Sequence, residues 1–150
     1  MTVHRLALAA LPFLLLATFS QPATAEDAET AIFAPCTTAA RITCVVDGDT
    51  IWYRGDKIRL SDINTPEISQ PACPAEAERG RAARDRLVAL LNEGPFSLEA
   101  QGRATDRYGR QLRIVRRGGI SLGAILVNEG LAEEWQGRRS DWCGQLALAR

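Results

Sequence analysis

Between residues 41 and 63 the chain reads RITCVVDGDTIWYRGDKIRLSDI, and no other stretch narrows the fold as much. Runs of β-branched, aromatic and other apolar residues are split by two turn signals, Asp47-Gly48-Asp49 and Gly55-Asp56. Short apolar runs punctuated by Gly and Asp read as strands joined by tight turns. The spacing therefore predicts a three-stranded meander. Residues 66 to 74, PEISQPACP, read as a proline-rich loop. From about Ala75 to Asn92 the period becomes helical: Ala83, Leu87, Leu90 and Leu91 form one apolar stripe, and interleaved arginines and acids form a solvated face. Gly94-Pro95 stops that helix. FSLEAQ and QLRIVRR are two more strand candidates, and SLGAILVNEG reads as a short helix with Ser121 as its cap. The order β-β-β-α-β-β-α predicts a mainly β domain, a five-stranded barrel of the OB type with two to three helices. Such an order alone leaves function open.

Residues 1–25 lie outside this pattern. A basic start, an apolar run and the small triplet Ala23-Thr24-Ala25 follow the grammar of a secretory signal peptide. The apolar run is short for a bilayer span, which needs about 20 residues. Residues 26–40 are small and polar, read as a flexible arm, and residues 41–150 as the folded domain. The protein is thus expected to be exported, to periplasm or medium, and to be a monomer with no membrane contact once the leader is gone. All four cysteines, Cys36, Cys44, Cys73 and Cys143, fall after the leader, and an even count in a small exported domain suggests two disulfides. Three pairings exist and sequence does not choose between them. Cys36–Cys44 with Cys73–Cys143 is favoured, because it clips the arm to the first strand and closes a long loop. Zinc is a weak rival: there is no CxxC, and the sole histidine, His4, is in the leader.

Charge excludes little. Without the leader, 17 basic face 18 acidic side chains, since Arg5 is the only charged residue removed. Three clusters carry more information: Asp47-Gly48-Asp49-Thr50, the stretch from Arg59 to Glu67, and Thr105-Asp106-Arg107-Tyr108-Gly109-Arg110. Singly, the first and third are ordinary turns. Jointly they hold what phosphodiester cleavage requires: oxygen ligands for a hard cation, two arginines for a phosphate, and a carboxylate to take a proton from water.

VVDGDT, IRLSDINTPE and TDRYGR, in that order, resemble the motifs of the staphylococcal nuclease (thermonuclease) family, over about Arg41 to Trp135. The resemblance implies an OB-fold barrel that hydrolyses DNA and RNA with Ca²⁺ and leaves 3′-phosphates. It also implies roles. Asp49 matches a metal carboxylate, and Thr65 the residue that lends the metal a backbone carbonyl. Arg59 and Arg110 match the phosphate-binding arginines, Glu67 the general base, and Tyr108 a tyrosine of the nucleotide pocket. Two departures stand out. Asn64 occupies the position of a second metal aspartate, which keeps an oxygen donor but removes a charge; Asp62 is a weaker candidate to compensate. At the C-terminus EEWQGRRSDWCGQ replaces a tyrosine-bearing segment and a third helix. There Trp135 could stack a base or sit at the core edge, and Arg138 and Arg139 could track phosphates or be merely solvated. Asn64 and the absence of net positive charge motivate the alternative, a catalytically weak or inactive OB-fold module that binds nucleic acid or another polyanion.

Overall fold

The computed structural model describes residues 26–148; the expected leader lies outside the described residues. The meander is present as β1 (Cys44–Asp47), β2 (Thr50–Tyr53) and β3 (Asp56–Leu60). Tyr53 pairs with Asp56, so the loop between β2 and β3 is the dipeptide Arg54-Gly55. Both residues have positive φ (52° and 88°), the geometry of a hairpin turn whose twist matches its strands. The turn thus sits one residue earlier than the Gly55-Asp56 signal suggests. A bulge between Val45 and Asp47 interrupts β1 just before the Gly48-Asp49 turn.

After β3 the chain makes a two-residue strand, β4 (Ile63–Asn64), and enters helix α1 (Pro74–Asn92). Pro74 at its first turn loses nothing there, because that N–H has no helical partner. The anticipated stripe is buried: Ala83, Leu87, Leu90 and Leu91 are all enclosed. Next come β5 (Ser97–Glu99), β6 (Gln111–Arg117), β7 (Ile120–Ser121), α2 (Leu122–Asn128), β8 (Glu133–Glu134) and α3 (Trp142–Leu148). Ser121 Oγ accepts from the Ala124 N–H at 3.1 Å, the expected cap of α2. Helix α3 had no sequence signature; buried Trp142 and the Cys143 disulfide anchor it.

Strand order is β1-β2-β3-β6-β5, with β3 and β6 parallel and the other neighbours antiparallel. This is a mainly β, OB-like sheet with three helices. β1 and β5, the terminal strands, do not pair with each other among the described residues. The N-terminal arm links them instead. Glu29 exchanges backbone hydrogen bonds with Phe96, just before β5, while Ala34 and Cys36 bond to Val45 in β1. Phe33 is 2% exposed and contacts the rings of Tyr53 and Phe96 at centroid distances of 6.0 Å. Asn92 bonds to both the N–H and the C=O of Phe33. Residues 29–36, which the sequence suggested as part of a loose segment, are held by Phe33, by backbone hydrogen bonds to Phe96 and Val45, and by the Cys36–Cys44 disulfide.

The disulfides are Cys36–Cys44 and Cys73–Cys143. The first fastens the arm to β1. The second joins the start of α1 to α3.

Candidate active site

Three segments bring the charged clusters to one side of the sheet. The first is the β1–β2 turn. Gly48 is required there by close approach: a Cβ would come within 2.7 Å of Ala83 Cβ on α1 and 2.8 Å of Thr65 Cγ2. That contact sets Asp49 against the strand exit at Thr65. Asp49 Oδ2 accepts from the Thr65 N–H at 3.0 Å, and Oδ1 accepts from the Thr50 hydroxyl at 3.0 Å. Burial, together with the charge of Asp49, pushes the Asp47 carboxyl up to about 7.

The second cluster begins with Arg59, 9% exposed at the end of β3. Its Nη1 donates to Leu60 O at 2.6 Å and lies 3.0 Å from Asp49 Oδ2, and its Nη2 donates to Ile63 O at 2.9 Å. A guanidinium has five N–H donors; Nε–H and one Nη2–H have no protein acceptor among the described residues. The guanidinium is thus held in place with two donors to spare, the number a bidentate phosphate contact uses. It also lies 5.5 Å from the centroid of the Trp135 ring.

Glu67 follows the Thr65-Pro66 pair. Its backbone N–H donates to Glu76 Oε1 at 3.2 Å, and the other Glu76 oxygen accepts from the Ala72 N–H at 2.6 Å. Buried Glu76, from the first turn of α1, thereby fixes the loop that carries Glu67. Gly80, one turn on, lets the helix approach: a Cβ there would sit 2.7 Å from Pro66 O. The Glu67 side chain is ion-paired to Arg139 at 2.8 Å. Burial raises its carboxyl above the ordinary glutamate value; Arg139 and Arg59 oppose this, and Asp49 and Glu76 add to it. A raised carboxyl is a stronger base than an ordinary glutamate.

The third cluster is the loop before β6. Asp106 organises it, accepting from the N–H groups of Tyr108 at 2.9 Å and Arg110 at 3.0 Å, and from Arg110 Nε at 2.7 Å. Burial alone would raise the Asp106 carboxyl, but the hydrogen bonds from Arg110 and the loop N–H groups carry it below its ordinary value. Tyr108 is 67% exposed, with the guanidiniums of Arg107 and Arg110 at 4.8 and 5.6 Å from its ring centroid.

Asp49, Arg59, Asn64, Glu67, Tyr108, Arg110 and Trp135 all line a single cavity of about 810 Å³. Thr65 is buried behind it. Asp62 is turned elsewhere: its carboxylate accepts from the Ser121 hydroxyl at the start of α2 and does not line this cavity. Two participants escaped sequence reasoning. Glu76 looked like one acid of a solvated helix face, and only its placement against residues 67 and 72 shows otherwise. The Arg139–Glu67 pair joins residues far apart along the chain, and no local pattern announces it.

Residues 57–145 match the family model described as staphylococcal nuclease homologue; the Asp47–Thr50 cluster lies upstream of that span. The SPbeta prophage-derived endonuclease YokF of Bacillus subtilis (strain 168) is 40% identical over 92 residues, 58% of this chain and 31% of that protein. Endonuclease YncB of the same organism is 38% identical over 92 residues, 58% of this chain and 43% of its own length. The thermonuclease of Staphylococcus intermedius is 35% identical over 92 residues, 59% of this chain and 54% of its own length. The chain thus spans between 31% and 54% of the length of these relatives. The family match runs from within β3 into α3, well over half of the sequence, and on that extent the chain belongs to the staphylococcal nuclease family.

Proposed function

We propose that this protein is an exported phosphodiester hydrolase that cleaves DNA or RNA with the help of Ca²⁺. One observation carries the reading: Glu67, Arg59 and Arg110, distant in sequence, border one cavity together with Asp49. In this reading Arg59 and Arg110 hold the phosphate oxygens, and they meet the negative charge that grows on them in the transition state. Glu67 takes a proton from water, and the oxygen so activated bonds to phosphorus in line with the departing group. The bond from phosphorus to the 5′ oxygen breaks, and that oxygen leaves with the bonding pair and takes a proton from solvent. A 3′-phosphate and a 5′-hydroxyl remain. Tyr108 and Trp135 offer ring faces on which a base stacks.

The donors around Asp49 suit a hard cation, though thinly. No group of three or more His, Cys, Asp or Glu side chains is placed to hold a metal among the described residues. An ionised carboxylate offers about four lone-pair sites. On Asp49, Thr50, Thr65 and Arg59 already occupy three. Asn64 is 4% exposed, and its Nδ2 has no hydrogen-bond partner. Amide oxygen and nitrogen have the same shape, so the amide can turn its oxygen to that position and offer a neutral ligand to a cation. Asp49, Asn64 and the Thr65 carbonyl would hold Ca²⁺, which supplies Lewis-acid neutralisation of the phosphate when bound. With one carboxylate fewer than the resemblance implies, weak affinity is expected.

Export rests on the leader-like residues 1–25 and on the two disulfides, which persist in oxidising compartments. Among the described residues no helix is long and apolar enough to cross a membrane. A second reading, an OB module that binds polyanions without cleaving them, is favoured by the amide at 64 and by the ion pair that occupies Glu67. The deciding assay incubates the oxidised protein with single-stranded DNA and with RNA, in Ca²⁺ and then in chelator. Cleavage lost on chelation supports the hydrolase. Binding without cleavage at every Ca²⁺ level supports the second reading.

A further inference from the structure

The segment after β8 is fastened at both ends. At its start β8 pairs with β4, and the Trp135 N–H donates to Asp62 O at 2.8 Å. At its end Trp142 is buried, and Cys143 is bonded to Cys73 at the head of α1. Between these anchors, Gly137, Arg138 and Arg139 line the cavity. A loop that is pinned twice holds its side chains over the site with less ordering left to do when a ligand arrives.

The charge of the cavity exceeds what one phosphate needs. The chain as a whole has no net charge, yet six arginines line the cavity against three carboxylates, Asp49, Glu67 and Asp106. Each carboxylate has a partner, in Arg59, Arg139 and Arg110 respectively. Arg103, Arg107 and Arg138 are left without a carboxylate partner among the described residues. The excess lies on two separate pieces of chain: Arg103 and Arg107 on the loop before β6, and Arg138, next to Arg139, on the tied segment. Arg139 is itself only loosely committed. Its side chain is 70% exposed against 25% for Glu67, so water screens the pair from the arginine side.

We propose that the disulfide-tied segment 136–141 is a second phosphate-binding wall, on which Arg138 and Arg139 hold the phosphates flanking the one that is cleaved. The site then selects a polynucleotide over an isolated phosphodiester. It follows that Arg139 rests on Glu67 only until substrate arrives: a flanking phosphate competes for the guanidinium and leaves Glu67 free to act on water. This rests on the hydrolase reading for what happens after binding, but the wall itself is a statement about binding.

The test is therefore a binding one, in chelator, so that nothing is cleaved. Fluorescence anisotropy gives the affinity of the full disulfide-bonded protein for a short single-stranded oligonucleotide across a salt series. Each single-strand phosphate contact contributes about 0.7 to the slope of log affinity against log salt, so R138Q/R139Q is expected to flatten it by roughly 1.4. R138K/R139K keeps the charges and is expected to restore the slope. Affinity of the single variant R138Q, which keeps the Arg139–Glu67 pair, for thymidine 5′-(p-nitrophenyl) phosphate, a probe with one phosphodiester, is expected to change by less than about twofold. An unchanged slope in the folded glutamine variant overturns the wall. So does an equal loss on both probes, which would mean that the two arginines merely shape the central site. A wild-type protein that cleaves nothing in Ca²⁺ refutes the hydrolase reading and leaves this result readable.

Discussion

Asn64 is the residue on which the metal question turns. It is buried, lines the cavity and has an amide nitrogen with no partner. Replacing it by aspartate adds a full negative charge to the lining of the cavity that Asp49 also borders. Two charges about 4 Å apart near a protein surface interact by several kcal/mol, so Asn64→Asp is expected to tighten Ca²⁺ by roughly tenfold or more. Calorimetric titration with Ca²⁺ checks this without any substrate; an unchanged isotherm means that residue 64 does not ligate. At this scale much was legible in advance. Asp49, Arg59, Asn64, Glu67, Tyr108, Arg110 and Trp135 stand in or beside motifs that mark them, and all border one cavity. What stayed hidden were partners chosen by packing: Glu76 against the Glu67 loop, Arg139 against the Glu67 carboxylate, Asp62 turned to Ser121.

At the scale of elements, helix α1 is the platform of the site, and it approaches the Pro66-Glu67 backbone closely at Gly80. Alanine is the better helix former by about 1 kcal/mol, so on propensity alone Gly80→Ala should stabilise. The contact decides otherwise, because the added methyl meets backbone oxygens of Pro66 and Glu67 that cannot yield without moving Glu67. Overpacking of this kind costs about 1–3 kcal/mol, and Gly80→Ala is expected to lower the melting temperature and kcat together. Equal or higher stability would show that the helix is not held there. The Cys73–Cys143 bond joins the same helix to α3 across a sequence separation of 70 residues. Chain entropy for a loop of that length gives about 4 kcal/mol, so Cys73→Ser/Cys143→Ser is expected to lose most of that in urea unfolding; a loss under about 1 kcal/mol would contradict a structural role. The hairpin, α1 and α2 were readable from turn residues, periodicity and a cap. Helix α3 was not, because a seven-residue helix held by Trp142 and Cys143 needs no stripe of its own.

At the scale of the molecule, the sheet does what no local pattern records. It pairs β3 with β6 in parallel and so sets the Arg110 loop beside Arg59 and Glu67. Parallel neighbours distant in sequence are invisible to strand periodicity, which is why the OB order could be anticipated while the exact closure could not. The arm makes the same point. Phe33 fills a place against Tyr53 and Phe96, and residues 29–36 bond to both terminal strands. The convergence of one carboxylate and two guanidiniums is the central claim, and single-turnover cleavage of single-stranded DNA by Glu67→Gln in Ca²⁺ tests it most directly. A positioned general base contributes about 10²–10⁴ in rate. The account predicts a loss of that size with oligonucleotide affinity unchanged or stronger; a variant that cleaves at the wild-type rate would contradict it.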